Sequence, residues 1–270
     1  MRSLSLYKIV LILSVILSLA SCDTGYSGDI DPNNEVFNYK YPLQKGNTWT
    51  YLVKERKYNF SNPAALAEIG ADTVLYYQVK QICSNDTAWF SYVSKSLHKL
   101  DSYQSSKASN QALIDTTVCP AKSSFYMDNT SDYYLEYGRR DSTTISGGGG
   151  SGTVTSTIAY ETPFKILKYG TYTGNQWIQG ILMSEVRCKI SGFLDLDNER
   201  VCQIIKTEYI PESPATPAPA DTVTTDEYYS QRGLVKSIRK DFKKSMMTPN
   251  GNATTYDHVI TTELIRTNVK

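Results

Sequence analysis

The sequence predicts an all-β protein: a single antiparallel meander forming a curved sheet or barrel-like domain, with one or two short helices. Three observations carry this expectation. Period-two alternation of apolar and polar residues recurs along the 270-residue chain, as in Trp49, Tyr51 and Val53 against Thr50, Leu52 and Lys54. Residues that suit a half-buried pleated surface abound, with 21 Tyr against 7 Phe. Glycines and Asn/Asp clusters separate the apolar runs at short intervals, which suits hairpins rather than βαβ units. With 40% hydrophobic and 20% charged residues, the chain can bury a core and is neither disordered, collagenous nor a coiled coil. A net charge of +1 offers no electrostatic basis for a nucleic-acid partner.

The first element is a targeting segment. Arg2 and Lys8 precede an apolar stretch from Ile9 to Ala20, too short to span a bilayer and suited to a secretory signal. Leu19-Ala20-Ser21-Cys22 resembles the bacterial lipobox, which implies a signal peptide over 1–21 and lipidation of Cys22. Cleavage there removes Arg2 and Lys8 and leaves a mature charge of −1. Several acyl chains on Cys22 would anchor the protein to a membrane, each buried CH₂ contributing about 0.8 kcal/mol. Residues 22–35 are polar and acidic and read as a flexible tether.

Residues 36–270 read as one β domain. Strands are expected at Trp49–Val53, Leu75–Val79, Thr87–Val93, Ser124–Met127, Tyr133–Tyr137, Thr153–Tyr160, Phe164–Tyr169, Gln176–Ile190, Val201–Tyr209, Thr222–Ser230, Leu234–Lys240 and His258–Arg266. One helix is expected where Asn62 caps and Pro63 opens the Ala64–Ile69 run, which Gly70 ends. A second short one is expected within 105–114. The Gly-rich 146–152 and Pro-rich 211–219 stretches read as flexible loops, the latter as extended polyproline II.

Four cysteines remain after Cys22. In an exported chain they suggest two disulfides with three possible connectivities. Cys188 and Cys202 flank the turn sequence Asp195–Glu199, and a hairpin centred near Asp195 would set them opposite each other. Cys188–Cys202 is therefore expected, with Cys83–Cys119 as the remainder. No C-x-x-C or neighbouring His supports a metal site, and no cofactor is expected.

The search for catalytic chemistry is thin. His98 and His258 have no companions at triad or metal spacing, and His258 is expected to pack or to face water. No G-x-S-x-G, H-E-x-x-H, P-loop or dinucleotide fingerprint occurs. Asp195–Glu199 alternates carboxylates, but Arg200 and Lys206 occupy the positions where a calcium loop needs Gly and Glu. Paired carboxylates for hydrolysis can lie far apart in sequence, and no pair nominates itself. Aromatic doublets such as Tyr133-Tyr134 and Tyr228-Tyr229 place one ring on either face of a strand, so some rings could bind a partner.

Further resemblances lie elsewhere. Asp-Thr or Asp-Ser steps that present Thr73, Thr87, Thr116, Ser142 and Thr222 look like the acceptor of Bacteroidota O-glycosylation; the same tripeptides also suit the start of a strand. Tyr41-Pro42-Leu43-Gln44-Lys45-Gly46-Asn47-Thr48-Trp49-Thr50-Tyr51 resembles the opening F/Y-P-L-x-x-G-N-x-W-x-Y shared by uncharacterised Bacteroidota-type lipoproteins, TapB-like ones among them. Tyr228–Lys236, with Gly233, resembles a later strand of theirs. In these motifs Pro42 and Gly46 would turn the chain so that Trp49 and Tyr51 enter one sheet face.

The expectation is a lipid-anchored protein of the bacterial cell envelope, in the outer membrane, acting as a non-enzymatic binding or accessory module for a glycan, protein or lipid partner. Two alternatives stand beside it: a carrier of lipid or another hydrophobic ligand in a β-cavity, and a hydrolase with an unrecognised carboxylate pair.

Overall fold

The computed structural model of the protein describes residues 35–58, 61, 72–81, 97–105, 121–147, 150–181, 185–209, 222–247, 251 and 253–270. Cys22, Cys83, Cys119, Thr87, Thr116, the 62–70 and 106–114 segments, the Thr87–Val93 run and the 211–219 stretch lie outside them.

The described residues form antiparallel β-structure. The strands are β1 (Val36–Phe37), β2 (Thr48–Tyr58), β3 (Asp72–Gln81), β4 (His98–Ser105), β5 (Ala121–Asn129), β6 (Tyr133–Gly147) and β7 (Gly150–Lys168). They continue as β8 (Thr171–Tyr172), β9 (Gln176–Ile181), β10 (Glu185–Leu196), β11 (Glu199–Tyr209), β12 (Thr222–Ser230), β13 (Gly233–Met247) and β14 (Ala253–Asn268). Twelve strands make one sheet in the order β7-β6-β5-β4-β3-β2-β14-β13-β12-β11-β10-β9, and β1 pairs with β8 apart from it. The sheet is thus two consecutive meanders, β2–β7 and β9–β14, joined where β14 pairs with β2 through Trp49↔Thr267 and Glu55↔Ile260.

The sheet is not closed by hydrogen bonds, yet its edge strands β7 and β9 touch. Trp177 Nε1 donates to the Lys165 carbonyl at 2.9 Å. The Phe164 ring lies so close to Gly180 that a Cβ there would stand 2.2 Å from Phe164 Cδ1. Glycine is required because an aromatic ring covers its backbone, a common way of finishing a sheet edge. Side chains therefore hold the curl that a ladder would otherwise hold.

Alternation decides which residues face inward. Trp49, Tyr51, Cys188, Ile190, Cys202, Ile204 and Tyr229 are all buried in one cluster, together with Tyr41, Leu43, Leu100, Met127, Tyr134, Leu167 and Trp177. Each occupies an inward position of a period-two strand or of the segment before β2.

Several expectations need correction. Cys188 and Cys202 are free thiols. The β10–β11 loop consists of Asp197 and Asn198, both at positive φ (51° and 65°), in the manner of a two-residue type I′ hairpin, for which Asp and Asn are well suited. The turn therefore centres two residues later than Asp195. Cys188 faces Lys206 and Cys202 faces Phe193. An offset of four positions along a strand is about 13 Å, far beyond the ~7 Å limit between bridged Cα atoms.

The expected strands at Thr153–Tyr160 and Phe164–Tyr169 are one long strand, β7, whose pairing with β6 is interrupted by register shifts. The expected Gln176–Ile190 strand is divided into β9 and β10. β4 was not anticipated. Of the 146–152 stretch, expected as a flexible loop, the described residues 146–147 and 150–152 belong to the β6–β7 ladder through Ser146↔Ser151 and Gly147↔Gly150. Glycines without side chains still have backbone donors and acceptors to pair.

Candidate functional site

The segment before β2 folds back over one end of the sheet and closes it. Gly46 takes φ +93° in the turn, where Asn47 N donates to the Gln44 carbonyl at 3.0 Å. Asn47 Nδ2 donates to the Pro42 carbonyl at 2.9 Å, and Asn47 is fully buried. Tyr41 then stacks flat on Tyr134, with centroids 4.3 Å apart and planes at 3°.

The two separated motifs meet here. Trp49 Nε1 donates to the Arg232 carbonyl at 2.6 Å, and Tyr51 Oη donates to the Leu234 carbonyl at 2.9 Å. Between them Gly233, at φ +93°, lies against the Tyr41 ring. Pro42, Gly46, Trp49, Tyr51 and Gly233 are thus parts of one structural plug.

Behind the plug, inside the curve, lies a cavity of about 320 Å³. Tyr41, Tyr51, Leu100, Phe125, Met127, Tyr134, Ile166 and Leu234 supply its apolar and aromatic wall. Ser237 and Thr262 add small polar groups, while Glu136, Lys206, Glu227 and Tyr229 converge from β6, β11 and β12. Lys206 Nζ stands 2.7 Å from Glu227 Oε2 with both side chains largely buried. Tyr229 Oη donates to the same Oε2 at 2.7 Å. Tyr160 Oη donates to Glu136 Oε1 at 3.0 Å.

Burial pushes the Glu136 carboxyl above its ordinary range, against the opposing pull of the Tyr160 hydrogen bond and the Arg139 and Lys206 charges. Burial disfavours the Lys206 ammonium, but the adjacent Glu227 more than offsets this and the net shift is upward. Burial, followed by the Glu227 charge, raises the Tyr229 phenol far above its usual value. Two carboxyls therefore share a largely buried setting with one ammonium, in which each charge interacts more strongly than in water.

Sequence reasoning missed these residues, although a signal was present. Cys202, Ile204 and Lys206 hold one phase of β11, so Lys206 is a charge at an inward position. Glu227 holds the same inward phase as Tyr229 on β12. A charged residue that continues an apolar phase marks a buried polar group needing a partner.

A second polar cluster occupies the inward face farther along β2, β13 and β14. His258 is buried, with Nε2 2.7 Å from Glu55 Oε1 and Nδ1 3.8 Å from Asp241 Oδ2. Asp241 also receives Arg239 Nε at 2.9 Å and Lys244 Nζ at 2.8 Å. Burial pushes the Asp241 carboxyl up, but these two cations more than offset it and its net shift is downward. The two imidazole nitrogens thus face separate carboxylates, Glu55 and Asp241, rather than one common point.

Other expected positions fall as follows. Thr73 and Thr222 stand at the starts of β3 and β12, whereas Ser142 lies within β6. Two aromatic doublets split as alternation requires: Tyr134 and Tyr229 are buried inward, and Tyr133 and Tyr228 are half-buried on the other face. His98 begins β4. Among the described residues, no group of three or more His, Cys, Asp or Glu is placed to hold a metal ion.

No protein-family model matches the sequence, and no curated protein matches it. Among solved structures, the fold is similar to a "putative lipoprotein" from Parabacteroides distasonis ATCC 8503, with 11% identity and a TM-score of 0.35 over 87% of this chain and 100% of that one. A likeness of that degree carries no inference about this chain.

Proposed function

We propose that the protein is a lipid-anchored cell-envelope β protein that holds a small ligand with an apolar body in the cavity of its curved sheet. The carrier reading is preferred over binding through outward aromatics. The observation that carries it is the pocket itself: about 320 Å³, at the lower end of the range for small-molecule sites, with walls of apolar and aromatic side chains and a few convergent polar groups. The outward rings Tyr133 and Tyr228 are half-buried, which weakens the case for an aromatic platform. The lipobox at Cys22 supports an anchor by acyl chains. Catalysis forms no part of this reading.

Native mass spectrometry of protein released from its source membranes tests the reading. A small molecule should accompany the polypeptide at one-to-one stoichiometry and be lost from a Ser237→Trp variant, whose indole would fill the cavity. Polypeptide free of any such molecule, in membranes that retain their full complement of lipids and metabolites, would oppose it.

A hydrolase is the second reading, favoured by one observation. Glu136, with its raised carboxyl, and Glu227, ion-paired to Lys206, share one cavity, and unequal carboxyls are the usual signature of an acid and its partner. It predicts release of nitrophenol from aryl glycosides or esters, abolished in Glu136→Gln.

A further inference from the structure

The charge inside the cavity identifies a ligand class. Glu136 and Glu227 face a single ammonium, Lys206, and the Lys206 and Glu227 charges satisfy each other at 2.7 Å. Tyr229 also donates to the same Glu227 oxygen, Oε2, so the Glu227 charge already has an ammonium and a phenol beside it. Glu136 differs. Its one described side-chain hydrogen bond comes from Tyr160 at 3.0 Å, and the nearby Arg139 is engaged by Asp141 at 3.3 Å. Glu136 is therefore the carboxyl left over when the cavity's charges are paired, and a buried carboxylate gains most from a cation placed beside it.

The walls favour the same partner. Tyr51, Phe125 and Tyr134 border the enclosure that Glu136 enters, and aromatic faces attract a cation within about 6 Å, most strongly when it is desolvated. An ammonium head would find a carboxylate and aromatic side chains together. A carboxylate head would meet Glu136 and Glu227 with Lys206 already taken.

From this charge count and lining we infer that the cavity takes an amphiphilic amine, a cationic ammonium head on an apolar body, with Glu136 as its counter-ion. The inference rests on the cavity-binding reading above and adds the sign of the head group.

Isothermal titration of the full protein with octylammonium, 1-octanol and octanoate tests it, because the three probes share a tail and differ in the head. Octylammonium should bind at least tenfold more tightly than octanoate. Glu136→Gln should weaken octylammonium by tenfold or more and leave 1-octanol within about threefold. Phe125→Leu, which removes a ring without touching a charge, should weaken octylammonium more than 1-octanol. If octanoate binds as well as octylammonium, or Glu136→Gln leaves octylammonium unchanged, the amine inference is overturned while 1-octanol binding keeps the cavity reading intact. If no probe binds protein whose β-sheet circular dichroism is native, both fall together.

Discussion

Replacing Gly233 by alanine should damage the plug in a way that can be worked out from its geometry. Gly233 adopts φ +93°, and an added Cβ would lie 2.9 Å from Tyr41 Cε2 and 3.0 Å from Cζ. The left-handed backbone costs an L-residue about 1–2 kcal/mol, and one methyl forced into a packed core costs about 1–3 kcal/mol. The ring has little freedom to retreat. It is stacked on Tyr134 at 4.3 Å and lies 5.4 Å from Trp49. The Tyr41 backbone is tied by its N–H to Tyr169 Oη at 3.0 Å and by its carbonyl to Asn129 Nδ2 at 2.7 Å. Gly233→Ala should therefore lose about 2–5 kcal/mol, read by equilibrium urea unfolding with tryptophan fluorescence at unchanged m-value. Adding Tyr41→Leu should relieve the clash but not the backbone strain, so the double variant should lose less than the sum of the two singles by about 1 kcal/mol or more. A single-variant loss below about 1 kcal/mol, or strict additivity, would refute this account of why glycine is needed there.

Other expectations follow from the buried charges and thiols. Lys206→Met leaves Glu227 buried without its cation and should destabilise by about 3–5 kcal/mol, while Lys206→Met with Glu227→Leu should recover most of the loss in urea titrations. Burial pushes the Cys188 thiol up to about 11 and the Cys202 thiol up to about 12, so both should react slowly with a thiol reagent at pH 8 in the native protein and fast in urea. Peptide mapping without reductant should find no Cys188–Cys202 link. Glu199 is lowered by Arg232, Glu263 by Lys54, and Asp241 by Lys244 and Arg239 against burial. Their stabilisation is present above the unfolded carboxylate range and should be lost as pH falls below about 4. Glu136 has the opposite sign: its folded carboxyl is raised, so stability should fall as pH rises from the unfolded value through the folded one. Glu136→Gln should abolish that decline in pH-dependent unfolding, and an unchanged slope would count against it.

The fold was legible in the sequence wherever one phase of a strand stayed apolar. Trp49 and Tyr51, and Cys202 and Ile204, share the core face as alternation required, and the doublets split between faces with Tyr134 and Tyr229 inward, a side that alternation alone left open. Register was legible only as far as the turn could be located. Asp195–Glu199 reads as a turn, but which two residues take positive φ depends on backbone geometry that Asp and Asn share, and a two-residue error separated the expected cysteine pair. The merging of two segments into β7 was hidden because Glu161-Thr162-Pro163 has the composition of a loop. The plug was half legible: both motifs were visible, but not that Trp49 reaches Arg232 and Tyr51 reaches Leu234 across about 180 residues. The cavity was least legible, since Glu136, Lys206 and Glu227 are charges on amphipathic strands, where charge usually faces water. Lys206 and Glu227 nonetheless continue the phases of Ile204 and Tyr229, and it is those apolar neighbours that mark them as inward.

The account rests on an apolar-walled cavity that holds a ligand. Parallel calorimetric titration of the wild type and Ser237→Trp with 1-octanol tests this most directly, because an uncharged head leaves only the enclosure to be read. Saturable one-to-one binding to the wild type and none to a folded Ser237→Trp variant is the predicted result; no saturable binding, or equal binding to both, would contradict it.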